Sequence, residues 1–387
     1  LAALICALVA LVLPAAASAA PGATASIVGG KPGTIEEFPS LVYVQAVEGK
    51  HGFSCTGTVV APRIVLTAAH CVEDIEKGTI TPTRDYAVST GVANPSQAGP
   101  PNIFHIVATH VFPDFDPGIL HGDAAILVLD RPTPAPVMPM AGPGDAALYG
   151  GGAEVRLTGW GLTSAKAKEQ PANLRMTTML VQTASSCRQK VKPFYKPYLP
   201  AAQVCVLSTD KKSGGCFGDS GGPAIAQRPD GTPVQLGVTS TGGPECSTKT
   251  PTVLTRVDFI SSWVSEWIAA TESGAPPPAV DPNKPLPPLL RESAEEFVVF
   301  TLTDVMGARF EKADRIVGGC QKHGSGFRCE VAWLTGRNIY GATVSPFYLR
   351  RQDTNAWDSH YRIEWAPLKC IESKASNRHC PIQKKRG

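Results

Sequence analysis

Residues Gly214–Pro223 read GGCFGDSGGP, and the rest of the chain is organised around them. Ser220 stands between an aspartate and two glycines, four residues after Cys216. A serine hydroxyl is a weak nucleophile near neutral pH. It needs a base to take its proton and donors to hold the oxyanion that forms. Glycines beside it let backbone N–H groups approach a reacting carbonyl with no Cβ in the way. The donors offered here are the N–H groups of Gly218 and Ser220. Taken alone, the stretch could also be an ordinary Gly/Ser turn.

Two further stretches weigh against the turn. Leu66–Cys71 reads LTAAHC and Gly122–Leu129 reads GDAAILVL. They supply His70 and Asp123, which lie 53 residues apart, with Ser220 a further 97 residues on. Read singly, the histidine could be a satisfied core residue and the aspartate a turn residue. Together and in this order, the three motifs resemble the chymotrypsin-like (trypsin-family) serine proteases over about residues 27–271. That resemblance implies an all-β fold, a double β-barrel with a closing C-terminal helix. It implies His70 as general base, Asp123 as the group orienting it, and Ser220 as nucleophile.

The resemblance also implies an activation device. Ile27–Gly30 reads IVGG. In that family the freed amino group at this position pairs with the aspartate before the nucleophile, here Asp219. Such a buried pair exists only after cleavage, so the uncut chain would be a zymogen. The substrate pocket would be formed by Gly214, Ser240, Gly242 and Thr252. Gly214 carries no charge, and a β-branched threonine at 252 should shorten the pocket, which favours small or medium uncharged residues at P1. The family pairing would join Cys55 to Cys71, Cys187 to Cys205, and Cys216 to Cys246. The loop after Cys71 lacks the carboxylate pattern of the family's calcium site, so neither a metal nor another cofactor is expected. The competing reading is a catalytically silent homologue that acts as a binding protein.

Composition is consistent with this. The chain has 387 residues, 43% hydrophobic and 18% charged, as expected of globular units rather than disordered ones. A net charge of +3 gives no argument for nucleic acid. Leu1–Leu13 is an apolar run too short to span a bilayer, and small residues at Ala17 and Ala19 suit signal peptidase. Residues 1–20 are read as a signal peptide and 21–26 as a short propeptide, giving a secreted, extracellular product with no transmembrane span. Of the eleven cysteines, Cys6 falls in the leader; ten remain, an even number that fits a disulfide framework outside the cytosol.

Short runs rich in valine and isoleucine at Leu41–Val47, Cys55–Val60 and Ile64–Thr67, broken by turn residues, predict strands. Val257–Ala270 has helical apolar spacing and fits the closing helix. The protease unit is drawn as 27–272. Ser273–Pro288 holds seven prolines and reads as a semi-rigid linker.

Residues 289–387 then form a small α+β unit of unknown role. Ser293–Glu296 fits a capping box opening a helix. Phe327–Trp333, Ile339–Leu349 and Tyr361–Trp365 read as strands. Cys320, Cys329, Cys370 and Cys380 are expected to form two disulfides between sequence neighbours, with zinc as the rival reading. Arg315–Gly319 repeats RIVGG, but no His-Asp-Ser set follows it. This unit carries 16 Lys+Arg against 11 Asp+Glu, a bias that would suit contact with a cell wall or other anionic surface; a simply solvated surface is the blander reading.

Overall fold

The computed structural model describes residues 27–278 except 49–50, 75–78, 118–119 and 192–197; residues 294, 295, 298 and 302; and residues 314–364 except 325, 336–337 and 351–356. The signal peptide, the propeptide, most of the linker, Cys370 and Cys380 lie outside the described residues.

The first seven-stranded sheet contains β1 (Leu41–Glu48), β2 (His51–Ala61), β3 (Ile64–Thr67), β4 (Tyr86–Thr90), β5 (Ile103–Phe104), β6 (Ile106–Val111) and β7 (Ala125–Leu129). Its order is β5-β4-β1-β2-β3-β7-β6, a nearly closed barrel. The second contains β8 (Glu154–Gly159), β9 (Arg175–Val181), β10 (Gln203–Leu207), β11 (Pro223–Gln227), β12 (Pro233–Thr241) and β13 (Thr252–Arg256). Its order is β9-β8-β11-β12-β13-β10, and β9 pairs with β10 to close the ring. Lys31 and Pro32 add a short strand outside β9, against Met176 and Arg175. Closure leaves few unpaired edges, the usual solution for an antiparallel sheet of this size.

β7 is AILVL and is buried at every position, because it is covered on both faces. One contiguous cluster of apolar side chains fills both barrels and reaches the closing helix α2 (Val257–Ser273), through Val257, Ile260, Trp263 and Val264. The helix also docks on β6. His110 stacks on Trp267 with ring centres 3.5 Å apart, and Phe112 meets Phe259 and Trp263 edge-on. Gly274 ends α2 in the left-handed conformation, φ 67°, which glycine adopts without strain. The helix therefore runs three residues further than its apolar stripe predicts, and takes in Ser273, which the sequence reading gave to the linker.

Another helix, α1 (Ala184–Val191), was not expected. It is one polar face over two buried residues, Cys187 and Val191, so apolar periodicity could not reveal it. Disulfides join Cys55 to Cys71, Cys187 to Cys205, Cys216 to Cys246, and Cys320 to Cys329.

The C-terminal unit is a four-stranded antiparallel meander: β14 (Asp314–His323), β15 (Gly326–Thr335), β16 (Asn338–Arg350) and β17 (Trp357–Glu364). Its RIVGG run is part of β14, with Val317 paired to Val331. Ala294, Val298 and Leu302 are helical, four residues apart, and buried in one cluster with Val331, Trp333 and Val344. Among the described residues no helix is long and apolar enough to cross a membrane.

Candidate active site

The pairing of β3 with β7 sets the first contact. Ala125 lies opposite Thr67 in an antiparallel register, so the residues just before β7 face those just after β3. Asp123 precedes β7, and His70 sits in the 3-10 turn Ala69–Cys71 that follows β3. The Cys55–Cys71 disulfide ties that turn back to β2. As a result Asp123 Oδ2 lies 2.7 Å from His70 Nδ1, and Asp123 Oδ1 accepts the His70 backbone N–H at 3.0 Å. A carboxylate that accepts from Nδ1 fixes the tautomer in which Nε2 is the ring nitrogen able to take a proton.

The second barrel holds the same carboxylate. Ser240, near the end of β12, donates its hydroxyl to Asp123 Oδ2 at 2.5 Å. Thr255 on β13 donates to the Asp123 carbonyl at 3.0 Å. Asp123 is fully buried and His70 is one-fifth exposed. The acid is thus kept from water while the imidazole reaches the cleft.

Ser220 lies where the two barrels meet. Its carbonyl accepts the Thr56 N–H of β2 at 2.8 Å, and the next residue, Gly221, donates to the Thr239 carbonyl of β12 at 2.7 Å. The Cys216–Cys246 disulfide fastens the loop before Ser220 to the loop after β12. Among the described residues no backbone carbonyl accepts the N–H of Gly218 or of Ser220, so both donors are left for a ligand.

Ser220 and His70 line a cavity of about 380 Å³ together with Gly215, Ser240, Gly242 and Thr252. Thr252 lies against Gly215 in this lining: its side chain would be 3.5 Å from a Cβ on Gly215, and its hydroxyl accepts the Gly215 N–H at 3.4 Å. Gly214, expected in the lining, is not among the cavity's residues. It is buried one residue behind, donating its N–H to the Val28 carbonyl at 3.1 Å. Glu245 lines the cavity and is exposed, with φ 52°. Sequence reading missed it because it depends on the path of a loop with no strand register to fix it.

Asp219 is buried under Gly161, on which a Cβ would overlap its carboxylate. Only glycine permits that approach. Asp219 accepts the Gly161 N–H at 2.8 Å and the Cys216 N–H at 2.9 Å. Burial pushes its carboxyl up to about 7, against the lowering effect of those two bonds. Ile27 is fully buried, and the Gly30 carbonyl accepts from Arg175.

Among the described residues, the one grouping of metal-ligand atom types is Cys55, Cys71 and His70. Its two sulfurs are bonded to each other, so no thiolate is available to a cation.

The two joined barrels, with a serine, a histidine and an aspartate brought together at their seam, define a serine hydrolase of the double-barrel class. Comparison with known proteins is more specific. The Trypsin family model matches residues 27–264. The chain is similar to a trypsin of Saccharopolyspora erythraea, 29% identical over 244 residues, which cover 63% of this chain and 99% of that protein. It is similar to transmembrane protease serine 9 of Rattus norvegicus, 26% identical over 347 residues, 82% of this chain and 31% of that protein. It is also similar to serine protease filzig of Drosophila melanogaster, 27% identical over 244 residues, 62% of this chain and 14% of that protein. The chain belongs to the trypsin family of serine endopeptidases.

Proposed function

We propose that the protein is a secreted endopeptidase that cuts proteins and peptides through an acyl-enzyme formed on Ser220. His70 takes the serine proton through Nε2 and later delivers it to the leaving amine. Asp123 keeps the other ring nitrogen protonated and stabilises the imidazolium. The Gly218 and Ser220 N–H groups hold the oxyanion, an effect worth roughly 3–4 kcal/mol per donor in such enzymes. The observation that carries this reading is the seam contact: Asp123 on His70 at 2.7 Å, braced by Ser240 at 2.5 Å, in the cleft that Ser220 lines.

Thr252, a β-branched side chain in the cavity lining, supports a preference for small or medium uncharged P1 residues. An even set of cysteines after the leader, and the disulfides they form, fit export. Residues 27–272 carry the catalysis, and 289–387 form a separate unit behind the proline-rich linker. Its basic bias fits contact with an anionic surface such as a cell wall.

The decisive experiment compares the protein with Ser220→Ala. Native protein should be labelled by a fluorophosphonate and should hydrolyse peptides; the variant should do neither while melting at the same temperature. An unlabelled, inert native protein would leave the silent-homologue reading.

A further inference from the structure

A second groove, of about 420 Å³, begins where the first cavity ends, at Phe217. Tyr43, Phe53, Lys168, Gln170 and Gly218 are among the residues that line it. Phe217 is 63% exposed and Phe53 39% exposed, unusual for large apolar side chains side by side. Ser220 and Thr252 both line the first cavity, and Gly218 lines the groove. A substrate chain that has its P1 side chain in the first cavity and continues past Gly218 would lie in this groove.

Gln170 is set in that groove. The Tyr43 hydroxyl donates to Gln170 Oε1 at 2.9 Å. Tyr43 is itself fixed edge-on against Trp160, with ring centres 5.6 Å apart, and Trp160 is buried with its indole N–H on the Ala93 carbonyl at 2.8 Å. With Oε1 held in this way, Nε2 is turned over Gly218, so closely that a Cβ there would overlap it. Nε2 has two donor hydrogens. The geometry points to Gln170 as a specificity-determining residue of the leaving-group side: its carboxamide donates to a backbone carbonyl of the substrate beyond the scissile bond, and Phe53 and Phe217 flank an apolar side chain there. Tyr43 is its positioning residue. The inference rests on the endopeptidase reading above.

It is tested by the ratio of two rates. One substrate is an internally quenched peptide with alanine at P1 and two residues, the second leucine, beyond the cut. The other is the p-nitroanilide of the same acyl part, which has no residue beyond the cut. Gln170→Leu removes the donor and keeps the size. The ratio of kcat/KM, peptide over anilide, should fall about tenfold, the worth of one such hydrogen bond. Tyr43→Phe should lower the same ratio by a smaller factor. A ratio within twofold of native in Gln170→Leu overturns the assignment, as does an equal fall on both substrates, which would mean a general structural role. A native protein inert towards both substrates and unlabelled by fluorophosphonate would overturn the endopeptidase reading instead, and this inference with it.

Discussion

Ser240 and His70 share one oxygen of Asp123: the serine hydroxyl lies 2.5 Å and the imidazole Nδ1 2.7 Å from Oδ2. Two donors on one buried oxygen fix where the carboxylate points and lower the cost of keeping it charged away from water. The first comes from the second barrel and the other from the first. The alignment of His70, the proposed base, therefore depends on how the barrels join.

Ser240→Ala removes one of the donors without touching the histidine. A hydrogen bond to a charged group contributes about 1.5–3 kcal/mol. Turnover should fall by roughly ten- to a hundredfold. Asp123→Asn should cost far more, about ten-thousandfold, because it presents the wrong tautomer of His70. Steady-state kinetics of the two variants checks the order. Equal losses would mean that Ser240 does more than hold Oδ2.

Much of this was legible in the chain. His70, Asp123 and Ser220 sit in short motifs whose chemistry is local, and α2 shows its apolar stripe plainly. What stayed hidden depends on contacts far apart in sequence. Gln170 is an ordinary residue in a loop until Tyr43, 127 positions earlier, takes its carbonyl. Glu245 enters the cavity only because its loop turns through φ 52° between Gly243 and the Cys216–Cys246 disulfide. Gly214 lies beside Gly215 with its N–H on the Val28 carbonyl, a partner that sequence offset alone does not reveal. β14 was not among the expected strands: its RIVGG run was set aside as a chance likeness to Ile27–Gly30, and its pairing with β15 is what shows it.

Thr252 makes the depth of the cavity testable. Native protein should cut after alanine or valine better than after arginine. Thr252→Gly removes the side chain that stands 3.5 Å from the Cβ position of Gly215. Room for the extra atoms of phenylalanine should then raise kcat/KM for Phe over Ala at P1 by about tenfold or more, since one or two extra buried methylenes contribute about 1–3 kcal/mol. A native preference for arginine would instead give Glu245 the leading part, and Glu245→Gln should then abolish it.

Separate cores predict separable function. The apolar cluster of the barrels ends in α2, and the cluster containing Ala294, Val298 and Leu302 shares no residue with it. A chain ending at Gly274 keeps the whole of α2 and its cap. It should retain kcat/KM on short anilides within about twofold. A truncation that is folded and correctly processed but inactive would show that residues 289–387 complete the site.

Activation gives the last prediction. If activation cuts Ser26–Ile27 as proposed, the uncut chain has no amino group at Ile27 to offer Asp219. Among the described residues no cationic side chain pairs with it either, and burial has pushed its carboxyl up to about 7. A carboxyl raised above its unfolded value of 3.8 supports the fold fully below that pH, and its contribution is lost as pH climbs towards 7. His110 and His121 act in the opposite sense. Burial lowers both, His110 to about 4, so their contribution grows as pH rises towards 6.5. The Asp219 effect must therefore be read as a difference between proteins. Uncut Ser220→Ala protein should lose melting temperature between pH 4 and pH 7 relative to the same protein carrying Asp219→Asn. Once the residues before Ile27 are removed, the new ammonium should offset the buried charge, and that difference should shrink or reverse. The proposed cut follows Ser26, a small uncharged residue of the kind the cavity should accept, and the expected outcome is that one molecule matures another. Ser220→Ala made with its own leader should then keep residues before Ile27 until active enzyme is added, as N-terminal sequencing would read. An inert variant that already begins at Ile27 would assign the cut to signal peptidase or a host protease, and a pH profile untouched by trimming would remove Asp219 from the device.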